Sequence, residues 1–152
     1  MSKANINDLL GFLQPFPENV KEMALWIREL IWDLYPNSNE LIYDNYNALA
    51  LGWSTSDKVG DTFCSIAVYS KYLHFGFYWG SKIDDPEKIL LGKGNQYRYI
   101  IIRNKSDFPK TYIKKLLKEA YSYSEANRKK AKILLKGQTI TKSISPVKRR
   151  PK

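Results

Sequence analysis

Cysteine and histidine are almost missing from this 152-residue chain, which has one of each, Cys64 and His74. A single cysteine forms no internal disulfide, and this pair supplies too few ligands for a structural zinc site. The longest apolar runs, such as residues 99–102, are far shorter than the roughly 18–20 residues of a membrane-spanning helix. The amino terminus also lacks the apolar stretch of a secretory signal. We therefore expect a cytoplasmic protein that does not interact with a membrane.

Acidic residues are missing from the last part of the chain. Residues 1–127 have 15 Lys and Arg against 15 Asp and Glu, whereas residues 128–152 have 10 basic residues and no acidic one. The net charge of +10 therefore belongs to the carboxyl-terminal part. Residues 137–152 have Gly, Ser, Thr and Pro between their charges, which predicts a disordered basic tail. Such a tail either solubilises the protein or binds nucleic acid or an acidic partner. Its candidate polyanion-binding residues are Lys148, Arg149 and Arg150.

The apolar pattern changes from helical to extended near residue 40. Apolar residues at helical spacing predict a short helix at 6–13 and a long one at 18–35. Segments rich in Tyr, Val, Ile and Phe predict one or two strands at 41–53 and single strands at 63–70, 72–79 and 97–103. A last amphipathic helix is predicted after Asp107. Its apolar stripe fades past Glu125, so the sequence leaves open whether the helix continues to Lys136. These elements predict one α+β domain, residues 1–136, with an antiparallel sheet.

Five short segments of the chain match a family pattern in the right order. They are Pro36 to Tyr43, Lys71 to Gly80, Asp85-Pro86, Leu90 to Gly94 and Arg98 to Ile100. Together they resemble the YdhG-like family of uncharacterised bacterial domains, over about residues 9–126. The resemblance implies a compact α+β domain with helices packed on one side of an antiparallel sheet, related in shape to frataxin. One branch of that family is linked to iron delivery. Most members have no assigned activity, so the resemblance implies architecture more than chemistry.

The long predicted helix has an acidic stripe opposite its apolar face. At about 100° per residue, Glu18, Glu22, Glu29 and Asp33 fall within an arc of roughly 60°. Carboxylate oxygens can hold iron, and the frataxin-like shape that the resemblance implies is associated with such a ridge. The leading hypothesis is an iron-binding chaperone that hands iron to a metal-accepting protein. The alternative is a solvated helix face whose first acids stabilise the helix dipole.

A second candidate site is a small-ligand cluster on the predicted strands and loops. The glycine-bearing loop at residues 92–95 has amides and a lysine that could hold an anion, although turns alone explain its glycines. No nucleophile, triad or phosphate-loop motif is visible, so we expect that the protein is not an enzyme. The other functions that the sequence leaves open are a nucleic-acid or acidic-partner adaptor and a small-anion binding module, as a monomer or homodimer. The candidate ligand-binding residues are Glu40, Tyr43, His74, Tyr78, Lys93 and Arg98.

Overall fold

The computed structural model describes residues 6–130 and 134–147, which form an α+β fold of three α-helices and six strands. The first two helices lie where the apolar spacing predicts them, and the third ends at Asn127 because Arg128 has an extended backbone. Within the described ranges, no helix has the length and apolar character needed to cross a membrane. The helices are α1 (Ile6–Leu13), α2 (Glu18–Leu34) and α3 (Lys110–Asn127). The strands are β1 (Asn39–Asp44), β2 (Leu49–Ser54), β3 (Thr62–Val68), β4 (Leu73–Phe77), β5 (Arg98–Ile102) and β6 (Thr139–Ile144).

The six strands form one mixed sheet in the order β5-β4-β3-β2-β1-β6. The first five strands pair antiparallel in the order of the chain, as short turns between successive strands allow. The last strand, β6, runs parallel to β1. A parallel neighbour requires a crossover, and α3 together with the segment that follows it provides one. The expectation of a purely antiparallel sheet is therefore wrong at this edge.

The segment at 137–152, which we expected to be disordered, contains β6. Asn39 at the start of β1 anchors this segment, because its side chain donates to the Leu135 carbonyl (2.8 Å) and accepts from the Gln138 amide (3.0 Å). The β6 sequence, Thr-Ile-Thr-Lys-Ser-Ile, is rich in β-branched residues, which favour strands. Pairing with β6 satisfies the edge of β1, so the domain extends at least to Ile144.

The two faces of the sheet differ in the residues that they present. Alternate residues of a strand point to opposite faces, so each cross-strand row belongs to one face. One face packs with the three helices around a single hydrophobic core, and we call the opposite one the outer face. A central row of the core face consists of Ile42, Leu51, Ile66, Phe75 and Ile100. The neighbouring row of the outer face contains Tyr43, Ala50, Ala67, His74 and Ile101.

A buried ion pair joins α2 to β1 on the core face. The Arg28 guanidinium makes two hydrogen bonds to the Glu40 carboxylate, from Nε to Oε2 (2.7 Å) and from Nη2 to Oε1 (3.1 Å). Thr139 of β6 donates a third hydrogen bond to Oε1 (3.1 Å). The guanidinium carbon also lies 4.8 Å from the ring centre of Trp32. Glu40, predicted as a ligand-binding residue, is fully buried in this cluster and does not reach the outer face.

Candidate ligand-binding groove

Small side chains on the two central strands form the floor of a groove on the outer face. Ala50 pairs with Ala67, and Gly52 pairs with Ser65, across the β2–β3 ladder. All four lie on the outer face and line a cavity of about 340 Å³. Large side chains at these positions would fill this space, so the groove exists because four adjacent outer-face residues are small.

An aromatic wall of Tyr69, His74, Tyr97 and Tyr99 stands on the β4–β5 side of this floor. The ring centres of Tyr69 and His74 are 5.0 Å apart, those of His74 and Tyr99 are 4.4 Å apart, and those of Tyr99 and Tyr97 are 5.7 Å apart. Such contacts hold neighbouring rings in fixed orientations. The wall is therefore a preorganised surface, and Tyr69, His74 and Tyr97 directly line the groove.

Tyr97 closes the groove by lying across a glycine of the neighbouring strand. A Cβ atom on Gly76 would overlap the Tyr97 ring, so the ring occupies the space that any other residue would fill. The Tyr97 hydroxyl is hydrogen-bonded to the Ser65 side chain on the floor. Burial raises the pKa of Tyr97 to about 12, so this hydroxyl stays protonated at neutral pH.

The other side of the groove is bordered by Tyr43 of β1 and by Tyr78, which follows β4. Burial is the main cause that raises the pKa of Tyr43, and the nearby Tyr78 hydroxyl adds to it. Val59, Thr62 and Gln96 complete the polar and apolar rim. The groove therefore offers flat ring surfaces together with hydroxyl and amide groups that can hydrogen-bond a ligand.

The groove has no formal charge at neutral pH. None of its lining residues is Asp, Glu, Lys or Arg. Burial lowers the pKa of His74 below its usual value, which keeps the imidazole neutral. Transfer of a charged ligand from water into this site would lack a compensating partner. The groove therefore favours a neutral ligand.

Three of the six predicted ligand-binding residues come together in this groove, namely Tyr43, His74 and Tyr78. The other three lie elsewhere. Glu40 is in the buried ion pair with Arg28, and Arg98 donates to the backbone carbonyl of Tyr97 (2.8 Å). Lys93 is exposed in the loop before β5 and does not line the groove.

Sequence reasoning missed the floor and most of the aromatic wall. Strand alternation contains part of the signal, since Tyr97 and Tyr99 fall on the face opposite to Arg98. Gly76 was a second signal, because a glycine inside a strand often marks a close approach of another group. The strand register, which brings Ala50, Ala67 and His74 into one row, is not visible in a single sequence.

The acidic stripe on α2 is exposed but does not form a metal site among the described residues. The side chains of Glu18, Glu22, Glu29 and Asp33 are all exposed. Glu18 forms an ion pair with Lys21 (3.2 Å). At 1.5 Å per residue, the stripe extends over roughly 22 Å of helix. In the part of the chain that the structure describes, no three His, Cys, Asp or Glu side chains are grouped as metal ligands.

A ferrous titration tests the iron-donor hypothesis. Because the carboxylates are spread along the helix, we expect no saturable binding with a dissociation constant near 10 μM, which corresponds to about 7 kcal/mol. Anaerobic calorimetry should give the same weak heat for the protein and for the Glu22→Ala/Glu29→Ala/Asp33→Ala variant. Tight binding that the triple substitution removes would establish the iron site instead.

The predicted polyanion-binding residues Lys148, Arg149 and Arg150 lie outside the described residues.

Comparisons with protein-family models, with curated proteins and with solved structures find no match for this chain. The resemblance to the YdhG-like family therefore stays a prediction.

Proposed function

We propose that this protein is a binding module for a neutral, flat ring compound, which it holds in the groove on the outer face. One observation carries the proposal, namely a cavity of about 340 Å³ that is lined by four tyrosines and a neutral histidine without any charged residue. Pockets for small molecules are commonly concave and mostly apolar, with a few polar groups that orient the ligand. The groove has these properties.

The polar groups of the groove match the edge of a heterocycle or an amide. Tyr43, Tyr78, Thr62 and Gln96 line the groove. A hydroxyl group can donate and accept hydrogen bonds, and so can a side-chain amide. The ring faces and the alanine floor contact the apolar faces of the ligand. A ligand that leaves these groups unpaired loses affinity, so hydrogen bonding at the rim supplies specificity.

Charge discrimination tests the proposal directly. Benzamide and benzoate have nearly the same shape, but only benzoate is charged at pH 7. We expect saturable binding of benzamide in ligand-observed NMR, and at least tenfold weaker binding of benzoate, because the groove gives the carboxylate no cation. Equal binding of the two compounds would contradict the proposal.

A groove-filling variant locates the binding. Ala50→Phe places a ring on the floor, and we expect it to abolish benzamide binding while thermal unfolding shows a folded protein, since Ala50 is on the outer face and not in the core. The matched control is Ala126→Phe, an exposed position at the end of α3, which should leave binding unchanged. Unchanged binding in Ala50→Phe would place the ligand elsewhere.

A further inference from the structure

A β-bulge at the start of β3 turns Thr62 toward the groove. Side chains alternate along a regular strand, so regular alternation would place Thr62 on the core face together with Cys64. Two consecutive residues of β2 pair with Cys64 and Thr62, which leaves Phe63 as an extra residue of β3. Phe63 and Cys64 both belong to the hydrophobic core, and Thr62 therefore reaches the outer face, where it lines the groove. Bulges often redirect a side chain next to a functional site in this way.

The Thr62 hydroxyl is buried at the groove without a partner. Thr62 is only 3% exposed, and within the part of the chain that the structure describes its hydroxyl forms no hydrogen bond. The side chain lies over Gly52 of the floor, since a Cβ atom on Gly52 would be 3.2 Å from the Thr62 methyl carbon and 3.6 Å from the hydroxyl oxygen. A buried hydroxyl that stays unpaired is unfavourable, so a ligand that pairs with it gains affinity.

Two further hydrogen-bonding side chains lie at the same end of the groove as Thr62. Because β3, β4 and β5 pair antiparallel, β3 begins, β4 ends and β5 begins at one end of the sheet. Tyr78 follows β4 and Gln96 precedes β5, and both line the groove together with Thr62. Tyr69 and His74 line it toward the opposite end. The groove therefore has a polar end, formed by Thr62, Tyr78 and Gln96, and an aromatic end, formed by Tyr69 and His74.

We infer that Thr62 is the specificity-determining residue of the groove, and that the ligand is a ring compound with a carboxamide edge, open or cyclic, that pairs with the Thr62 hydroxyl. This inference rests on the proposed function and names the class of ring. Hydroxyl and side-chain amide groups each donate and accept hydrogen bonds, so the polar end is fully paired only by an edge with both a donor and an acceptor. A carboxamide has both and is uncharged, as the groove requires. The ring then extends over the alanine floor toward the aromatic end.

Three probes of the same shape test this inference on the full chain. Benzamide has an amide donor and a carbonyl acceptor, acetophenone keeps only the carbonyl, and α-methylstyrene has neither, although their non-hydrogen atoms have the same arrangement. In ligand-observed NMR we expect the native protein to bind benzamide at least about tenfold more tightly than either analogue, because each missing group leaves part of the polar end unpaired.

Thr62→Val replaces the hydroxyl by a methyl group in a side chain of the same shape. We expect it to weaken benzamide binding at least about tenfold, and to bind α-methylstyrene at least as tightly as the native protein does. The matched control is Thr62→Ser, which keeps the hydroxyl and should lose less benzamide affinity than Thr62→Val. Thermal unfolding should show that both variants are folded, since the Thr62 hydroxyl has no hydrogen bond to lose among the described residues.

Benzamide binding to the Ala50→Phe variant separates this inference from the proposed function. If Ala50→Phe removes benzamide binding but Thr62→Val does not weaken it, this inference fails and the groove proposal stands. If Thr62→Val weakens benzamide and α-methylstyrene equally, Thr62 acts through its shape, and its role as a hydrogen-bonding anchor is wrong. Equal affinity of the native protein for benzamide and acetophenone would overturn the carboxamide class. If the native protein binds none of the three probes, the groove proposal and this inference fail together.

Discussion

Arg28→Met is expected to lower the free energy of unfolding by about 3–5 kcal/mol, because it leaves the Glu40 carboxylate buried without its cation. Glu40 is fully buried and Arg28 is nearly so, and two hydrogen bonds join them, at 2.7 and 3.1 Å. Methionine retains the apolar stem, so the measured loss reports the charge and not the volume. Urea unfolding of both proteins at pH 7 gives the difference.

The control for Arg28 is a surface ion pair of the same residue types. Arg128 Nη1 lies 3.4 Å from Glu125 Oε2 at i,i+3 spacing. Arg128→Met should cost less than about 1 kcal/mol, because the Glu125 carboxylate is exposed and stays solvated when its cation is removed. In a second step, Arg28→Met/Glu40→Gln should recover most of the lost stability, since glutamine has no charge and still accepts from Thr139. Equal losses for Arg28→Met and Arg128→Met would show that the buried pair is not part of the stability of the fold.

The same ion pair shows how far strand alternation could have guided the site prediction. Glu40 and Tyr43 are three residues apart in β1, so they point to opposite faces, yet the sequence reasoning grouped them in one cluster. In contrast, His74 and Tyr78 are an even number of residues apart and do line the same groove. The alternation of side chains along a strand therefore places Glu40 on the face opposite to Tyr43, and this could be predicted from the sequence alone.

The helices were predictable for a physical reason that does not extend to β6. In α2 the apolar residues recur over the whole length of the helix, and this period alone fixes which face is buried. β6 has only six residues, with basic and polar neighbours, and its partner β1 is far away in the chain. Its structure depends on a long-range edge, including the hydrogen bonds of Asn39, which composition does not reveal.

The groove itself is a product of register. Four small residues in two strands mean little in the sequence, and they become a floor only because Ala50 pairs with Ala67 and Gly52 with Ser65. A shift of one residue would move each of them to the other face. The tyrosines and the histidine could thus be selected from the sequence as candidate ligand-binding residues. The cavity that they enclose could not be predicted, because it depends on the strand register.

Gly76→Ala is expected to destabilise the protein by about 1–3 kcal/mol and to open the groove, because the new methyl group displaces the Tyr97 ring. The ring then loses its burial and its hydrogen bond to Ser65. Urea unfolding measures the stability, and the exposure of Tyr97 is checked by the acid shift of its titration from about 12 toward the ordinary tyrosine value. The matched control is Gly94→Ala, where a Cβ atom meets nothing within 4 Å and little change is expected.

A double-mutant cycle identifies Tyr97 as the cause of that effect. In a Tyr97→Ala background the overlap is gone, so Gly76→Ala should be neutral or stabilising by roughly 0.5–1 kcal/mol, because alanine loses less backbone entropy than glycine in a strand. The sign of the Gly76 substitution should therefore reverse between the two backgrounds. The same destabilisation with and without the tyrosine would mean that Gly76 is required by the backbone of β4, and the aromatic wall would then not depend on a glycine in the neighbouring strand.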